Sequence, residues 1–266
     1  MDINVAFDGG NLGGLRKSAE EAYYGEWTIS VSAAGYVAQA RKFVPLDGMN
    51  TPLEFTLEVG NDDSWTFIDG RDRREYKFVT IGTQTWMAEN LNYRTPNGLS
   101  RCYENDADDG DNSNCETYGR LYDWATAMGL DPDCNTSTCE NQASADRDIC
   151  PAGWHVPSDA EWTTLTDYVG GLHTAGTKLK SRSGWNSSGN ISANGTDEFG
   201  FTALPGGYGW GGDFFHIGGV GTWWSATEIA VYGAWLWAID LGFDYVHRSA
   251  NYKRNFLLSV RCVRND

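Results

Sequence analysis

The residues of this 266-residue chain with the most defined chemistry are six cysteines, at positions 102, 115, 134, 139, 150 and 262. None forms a CxxC pair and no His-rich motif accompanies them, so they read as disulfides of an oxidising compartment rather than as zinc ligands. Many pairings are open to six cysteines and the sequence does not choose among them. Proximity nominates Cys102 with Cys115 and Cys134 with Cys139, which leaves Cys150 with Cys262. A second candidate is acidic. The run Asp106-Ala-Asp-Asp-Gly-Asp-Asn-Ser-Asn114 sets oxygens at near-alternate positions, as a calcium loop does, with Asp106, Asp108 and Asp111 as ligands. It lacks the EF-hand order and its closing bidentate Glu, so a solvated acidic turn is the competing reading. A third candidate is Tyr208-Gly-Trp-Gly-Gly-Asp-Phe-Phe-His216, where rings alternate with glycine. Tyr208, Trp210 and Phe214, beside Asp213, are suited to stack on sugar rings or on protein side chains, and nothing in the sequence separates those ligands. Catalytic constellations are scarce. His155, His173, His216 and His247 are isolated, and there is neither a Gly-x-Ser-x-Gly elbow nor a His-Glu-x-x-His motif. A paired-carboxylate site would be indistinguishable from surface charge.

The elements that must position these residues follow from composition and periodicity. Twelve Trp, 13 Tyr, 11 Phe and 32 Gly, without a long helix-favouring run, suit short strands and many loops. A formal net charge of −16 excludes nucleic acid and disfavours anionic membrane surfaces. No transmembrane stretch and no apolar signal region is found, so an exported chain would carry its signal outside this sequence. Alternating runs at Trp27–Ser32 and Leu53–Val59 predict a small β-sandwich over residues 1–62, with Lys17–Tyr24 as a short helical segment. Polar turn formers at 60–65 mark a boundary, and a second, α+β domain covers 69–266. There Tyr76–Ile81 reads as a strand, Gly82–Thr85 as a turn and Trp86–Leu91 as a short element. Helices are expected at Tyr118–Met128 and at Ser158–Val169, the latter opened by the capping box Ser158-Asp-Ala-Glu161. Strands at Gly221–Thr227, Ala234–Leu241 and Leu258–Val263 close the chain. Trp86, Trp124, Trp154 and Trp162 read as core, and of the adjacent Trp223 and Trp224 only one can be. Along Ala234–Leu241 the face of Trp235, Trp237, Ile239 and Leu241 is expected inside, with Leu236, Ala238 and Asp240 outside.

From residue 69 onward, DGRDRREYK, IGTQTWMAENLNY, RCYEN, YGRLYDWATAM, CPAGWHVPSDAEWTTL, FTALPGGYGW, WWSATE and SVRCVRND occur in order. Together they resemble the Fibrobacter succinogenes major paralogous domain over residues 69–266. The resemblance implies the C-type-lectin-like fold shared by formylglycine-generating enzymes and by the variable proteins of diversity-generating retroelements. It places Cys150 and Cys262 at that fold's long-range disulfide. It also implies a ligand surface on the last strands and loops, here Tyr232, Leu236, Ala238, Asp240, Phe243, Asp244, Tyr245, His247, Arg248, Asn251 and Tyr252. Two departures stand out: the chain ends Phe256-Leu-Leu-Ser-Val-Arg261 where the family has an aromatic Gly-Phe-Ser-Val-Arg, and the lectin calcium triplets are absent. The stretch TISVSAAGYVAQARKFVPLDGMNTPLEFTLEV, residues 28–59, resembles the carboxypeptidase-regulatory-like or PEGA-like modules, Ig-like sandwiches that space bacterial surface domains. The expected function is a non-enzymatic ligand-binding protein, a diversified receptor or adhesin that uses its C-terminal strands and loops, outside the cell or on its surface, to bind a protein or glycan of another surface. No cofactor is expected beyond the candidate calcium, and the oligomeric state stays open. The alternatives are a carbohydrate-binding module of fixed specificity and a degenerate enzyme of the formylglycine-generating type.

Overall fold

The computed structural model describes residues 65–96, 98–104, 113–139, 148–187, 189, 192–231, 233–253 and 255–265. Before residue 65 it describes the backbone of three strands, and at residues 251 and 252 the backbone alone. The chain divides into two compact units, Met1–Trp65 and Thr66–Asp266. In the first, Ile3–Gly9 (β1), Trp27–Ala33 (β2) and Gln39–Phe43 (β3) form an antiparallel sheet in the order β1-β2-β3. The alternating run from Trp27 is its central strand. The expected run at 53–59 and the helix at 17–24 lie outside the described residues.

The second unit is α+β, with much sheet and short helices. Trp65–Ile68 (β4), Glu75–Ile81 (β5), Gln84–Met87 (β6), Ser100–Arg101 (β7), Ser113–Tyr118 (α1), Leu121–Tyr122 (β8) and Trp124–Ala127 (α2) come first. A 3₁₀ turn at Pro132–Asn135, Trp154–His155 (β9), Asp159–Tyr168 (α3) and Leu172–Leu179 (α4) follow. Tyr208–Trp210 (β10), Asp213–Phe215 (β11), Val220–Ala230 (β12), Gly233–Asp240 (β13), Val246–Tyr252 (β14), Phe256–Ser259 (β15) and Val263–Arg264 (β16) complete it. One sheet runs β4-β5-β6-β16-β9; the other runs β11-β10-β15-β12-β13-β14, with β8 on β15 and β7 on β8. The closing strands are not uniformly antiparallel, because β12 and β15 pair in parallel at Trp223 and Ser259.

Local chemistry accounts for the helix boundaries. The capping box forms as expected: Ser158 Oγ accepts from the Glu161 amide at 3.2 Å while Glu161 Oε2 accepts from the Ser158 amide at 2.7 Å. The single helix expected over Tyr118–Met128 is instead split. Gly119 takes φ +77°, where a Cβ would stand 2.7 Å from Asn90 Cβ, so the chain turns there into β8. Asp123 then caps α2, its Oδ1 accepting from the Thr126 amide at 2.9 Å.

Two buried clusters lie on opposite faces of the β12–β13 pair. One gathers Trp224, Leu236, Leu258, Tyr122 and Trp124; the other gathers Trp223, Trp237, Ile239, Trp86, Trp162 and Phe201. Trp86, Trp124, Trp154 and Trp162 are buried as expected. The expectation that only one of Trp223 and Trp224 is core fails, since they are 1 % and 0 % exposed. Neighbours on a strand face opposite sides, and here both sides are covered. The same geometry corrects the outward placement of Leu236, which is 7 % exposed in the first cluster. Trp237 and Ile239 are core as expected, but Trp235 is half-buried, with the Arg248 guanidinium 3.5 Å from its ring.

Candidate ligand-binding surface

The Gly211-Gly212 pair joins β10 to β11 as a two-residue turn with φ of +64° and +100°, the left-handed pair that a tight hairpin of this twist requires. The turn fixes the register: Tyr208 opposes Phe215 and Trp210 opposes Asp213. On its other side Trp210 opposes Phe256 of β15. Because opposed residues share a face, Tyr208, Trp210, Asp213, Phe215 and Phe256 all project from one side of the three strands. Ring centroids lie 5.7 Å apart for Tyr208–Phe215, 6.0 Å for Tyr208–Phe256 and 6.4 Å for Trp210–Phe256. His216 adds an exposed imidazole 5.7 Å from Tyr208. Tyr208 and Phe256 pack against the first core cluster, while Trp210 is 52 % exposed at the tip. Of the predicted residues, Tyr208, Trp210 and Asp213 come together here. Phe214 does not: it projects from the opposite face, its ring 5.4 Å from Tyr103. Phe215 and Phe256 were missed, although a two-residue Gly-Gly turn already implies that Phe215, not Phe214, shares a face with Trp210.

At the other end of the strand order, β14 and the loop before it carry a second row. Centroids lie 4.8 Å apart for Phe243–Tyr245 and 4.4 Å for Tyr245–His247. His247 opposes Ala238, which with Asp240 is half-buried on that face. The loop is held by α4. Asp244 accepts from Thr177 Oγ1 at 2.7 Å, and Lys180 Nζ donates to the carbonyls of Phe243 and Leu241 at 2.9 and 3.3 Å. Burial pulls the Lys180 amine below its ordinary range. Gly176 lets the helix approach so closely that a Cβ would stand 2.7 Å from the Asp244 and Tyr245 carbonyl oxygens. Arg248 belongs elsewhere. It opposes Trp237 and forks onto Asp159 through Nε at 2.8 Å and Nη2 at 2.6 Å, over the Trp235 ring. Asn251 and Tyr252 lie on β14, described by backbone alone, and Tyr232, Asp106, Asp108 and Asp111 lie outside the described residues.

All six cysteines are paired, as Cys102–Cys115, Cys134–Cys139 and Cys150–Cys262. Among the described residues no group of three or more His, Cys, Asp and Glu side chains is arranged to hold a metal ion. Besides Lys180, two buried cations went unread in the sequence. Lys253, 0 % exposed, pairs with Glu228, donates to the Ser137 carbonyl at 2.9 Å and lies 4.6 Å from the Trp124 ring centroid. Glu228 in turn accepts from the Cys139 amide at 3.0 Å, so the pair fastens the end of β14 to the Cys134–Cys139 loop. Arg261 is also fully buried, with Nη2 2.7 Å from Asn90 Oδ1 and further bonds to the carbonyls of Phe201 and Thr202. Burial pushes its guanidinium down to about 9. Charged residues read as surface by type alone, so neither role has a sequence signal.

A family model described as the Fibrobacter succinogenes major domain matches residues 79–264. No curated protein and no solved structure matches the chain.

Proposed function

This chain belongs to the Fibrobacter succinogenes major domain family, and from that premise we propose that it is a non-enzymatic surface protein, a receptor or adhesin. In this reading residues 69–266 form a C-type-lectin-like domain and residues 1–62 an Ig-like or carboxypeptidase-regulatory-like spacer. The observation that carries the proposal is the placement of exposed rings. Trp210 and Phe243 are both large, apolar and exposed, and each stands in a row of further rings, the first on β10, β11 and β15 and the second on β14 and the loop before it. Aromatic side chains held by ordered strands give large contact area at little entropic cost, which is why binding surfaces are built from them. Three disulfides support an oxidising, extracellular setting. Among the described residues no helix is long and apolar enough to cross a membrane. A formylglycine-generating activity would draw on a reactive pair of cysteines, and all six sulfurs here are committed to disulfides.

Binding of the labelled chain to intact cells of its natural community tests the reading. The double variant Trp210→Ala, Phe243→Ala is expected to lose about tenfold or more in affinity while its thermal unfolding is unchanged. Equal binding by the two proteins would overturn the proposal.

A further inference from the structure

The ligand class of the β10–β11–β15 face can be argued from its size, its charge and its rigidity, taking the ligand-binding reading as given. Three paired strands about 4.8 Å apart, each contributing two or three residues at about 3.3 Å, make a patch on the order of 100 Å². A stable protein interface takes about 800 Å² from each partner, so this face alone is too small to hold a folded partner. Its rings are tilted by 31–38° to one another with Trp210 exposed at the tip, unlike the enclosed clefts that take compact small molecules. A narrow, aromatic strip fits an elongated ligand whose successive units each offer an apolar face and a polar edge.

The polar groups narrow the choice further. Asp213 is exposed and stands directly across the hairpin from Trp210. His216 is exposed at the other end of the rings, beside Tyr208. A carboxylate accepts hydrogen bonds from hydroxyl groups and repels anions, and an imidazole either donates or accepts. The chain as a whole carries −16, which disfavours acidic ligands at long range. The C–H face of a pyranose ring is apolar and slightly positive, and it complements the negative face of an indole or phenol. We propose that this face is a stacking platform for a neutral saccharide chain, with Trp210, Tyr208 and Phe256 under successive sugar rings and Asp213 on their hydroxyl edge. Because Tyr208 and Phe256 rest on the first core cluster, the platform is ordered before the ligand arrives. The hairpin's exposed tip at Gly211-Gly212 leaves that end of the strip open, so a long saccharide chain can run past it.

Affinity electrophoresis of the full chain in gels that contain neutral soluble polysaccharides, β-linked and α-linked glucans, mannans and xylans, tests this. At least one polymer is expected to retard the native protein, with retardation falling about tenfold or more in Trp210→Ala. Asp213→Ala, which leaves the ring packing in place, is expected to weaken it severalfold. Tyr168→Ala removes an exposed ring on α3 and is expected to behave as native. Retardation by no polymer, or equal retardation of native and Trp210→Ala protein, overturns the saccharide assignment. If the native chain then still binds cells through Trp210 and Phe243, the ligand-binding reading survives and the saccharide class alone falls.

Discussion

At the scale of single residues, the buried cations and acids carry the strongest consequences. Arg261 satisfies its guanidinium with neutral acceptors, the Asn90 side chain and two carbonyls. Removing it takes the donor from the Phe201 and Thr202 carbonyls, while Asn90 Oδ1 keeps only its hydrogen bond from Trp223 Nε1 at 2.8 Å. Arg261→Leu is therefore expected to cost about 2–4 kcal/mol in urea unfolding, and Arg261→Lys to recover little of it, because an ammonium cannot span the same fork. The acid side of the stability curve rests on other groups. Burial pushes the Asp148 carboxyl up to about 6, although it accepts amide hydrogen bonds from Val156 at 2.8 Å and Cys150 at 2.9 Å. Its unfolded value is about 3.9, so the folded chain holds that proton more tightly and stability falls as pH rises from about 4 to about 6. His155 is raised chiefly by its 2.7 Å hydrogen bond with Glu161. That contribution is complete below the unfolded value of about 6.5 and is lost as pH climbs through the raised folded value. Burial would raise Glu161, but hydrogen bonds from His155 and Ser158 hold it below the usual range, so its contribution fades in acid. Melting temperature is thus expected to peak near about pH 5 and decline towards pH 8. His155→Gln should flatten the upper part of that decline. Residues of this kind explain what the sequence hides: the four motif tryptophans announce a core by type, whereas Arg261, Lys253 and Leu236 take their roles from neighbours distant in the chain.

At the scale of elements, strong local signals were legible and tertiary ones were not. The capping box sets the start of α3, and alternation sets β5 and β13 to within a residue, while β12 runs three residues past the expected Thr227. Helix α4, Leu172–Leu179, was not anticipated, because Gly and Thr are poor helix formers. Its contact with the Asp244 loop, made possible by Gly176, is what supports it. The one-helix reading of 118–128 failed at Gly119 for a similar reason, a close approach that local pattern does not report. For the candidate site, the aromatic run was visible, but its two faces were assigned without the hairpin register. Gly212 at φ +100° is expected to tolerate no β-branched residue. Gly212→Val should destabilise the hairpin by about 1–3 kcal/mol and raise hydrogen exchange of the β10 and β11 amides ahead of the rest of the sheet. If the gene is diversified in nature, the sheet predicts where. Replacements should gather at half-buried or exposed Ala238, Asp240, Phe243, Tyr245 and His247, and spare Leu236, Trp237 and Arg248, whose side chains are packed or paired. Deep sequencing of a natural population reads this directly.

At the scale of the whole molecule, the second unit is organised by β12 and β13, which are covered on both faces, and by the bridge from Cys150 to Cys262. Closing a loop of 112 residues removes about 4–5 kcal/mol of denatured-state entropy in the simple chain model. Cys150→Ala, Cys262→Ala is therefore expected to lower stability by about that amount, more than loss of either short-loop disulfide, as denaturant unfolding would report. Legibility at this scale was good where covalent chemistry dominates. Proximity nominated the two short bridges and left Cys150 for Cys262, and all three pairs form. It was poorer for the sheet, because a central strand with a core on each side breaks the inside-outside alternation from which faces are read.

The long bridge has a mechanical meaning as well. Tension that enters the unit near residue 66 and leaves near residue 264 crosses from Cys150 to Cys262 through the sulfur–sulfur bond. The segment between them, which holds both aromatic rows, stands outside the load path. In a single-molecule pulling experiment, reducing that one bond should release about 400 Å of hidden length.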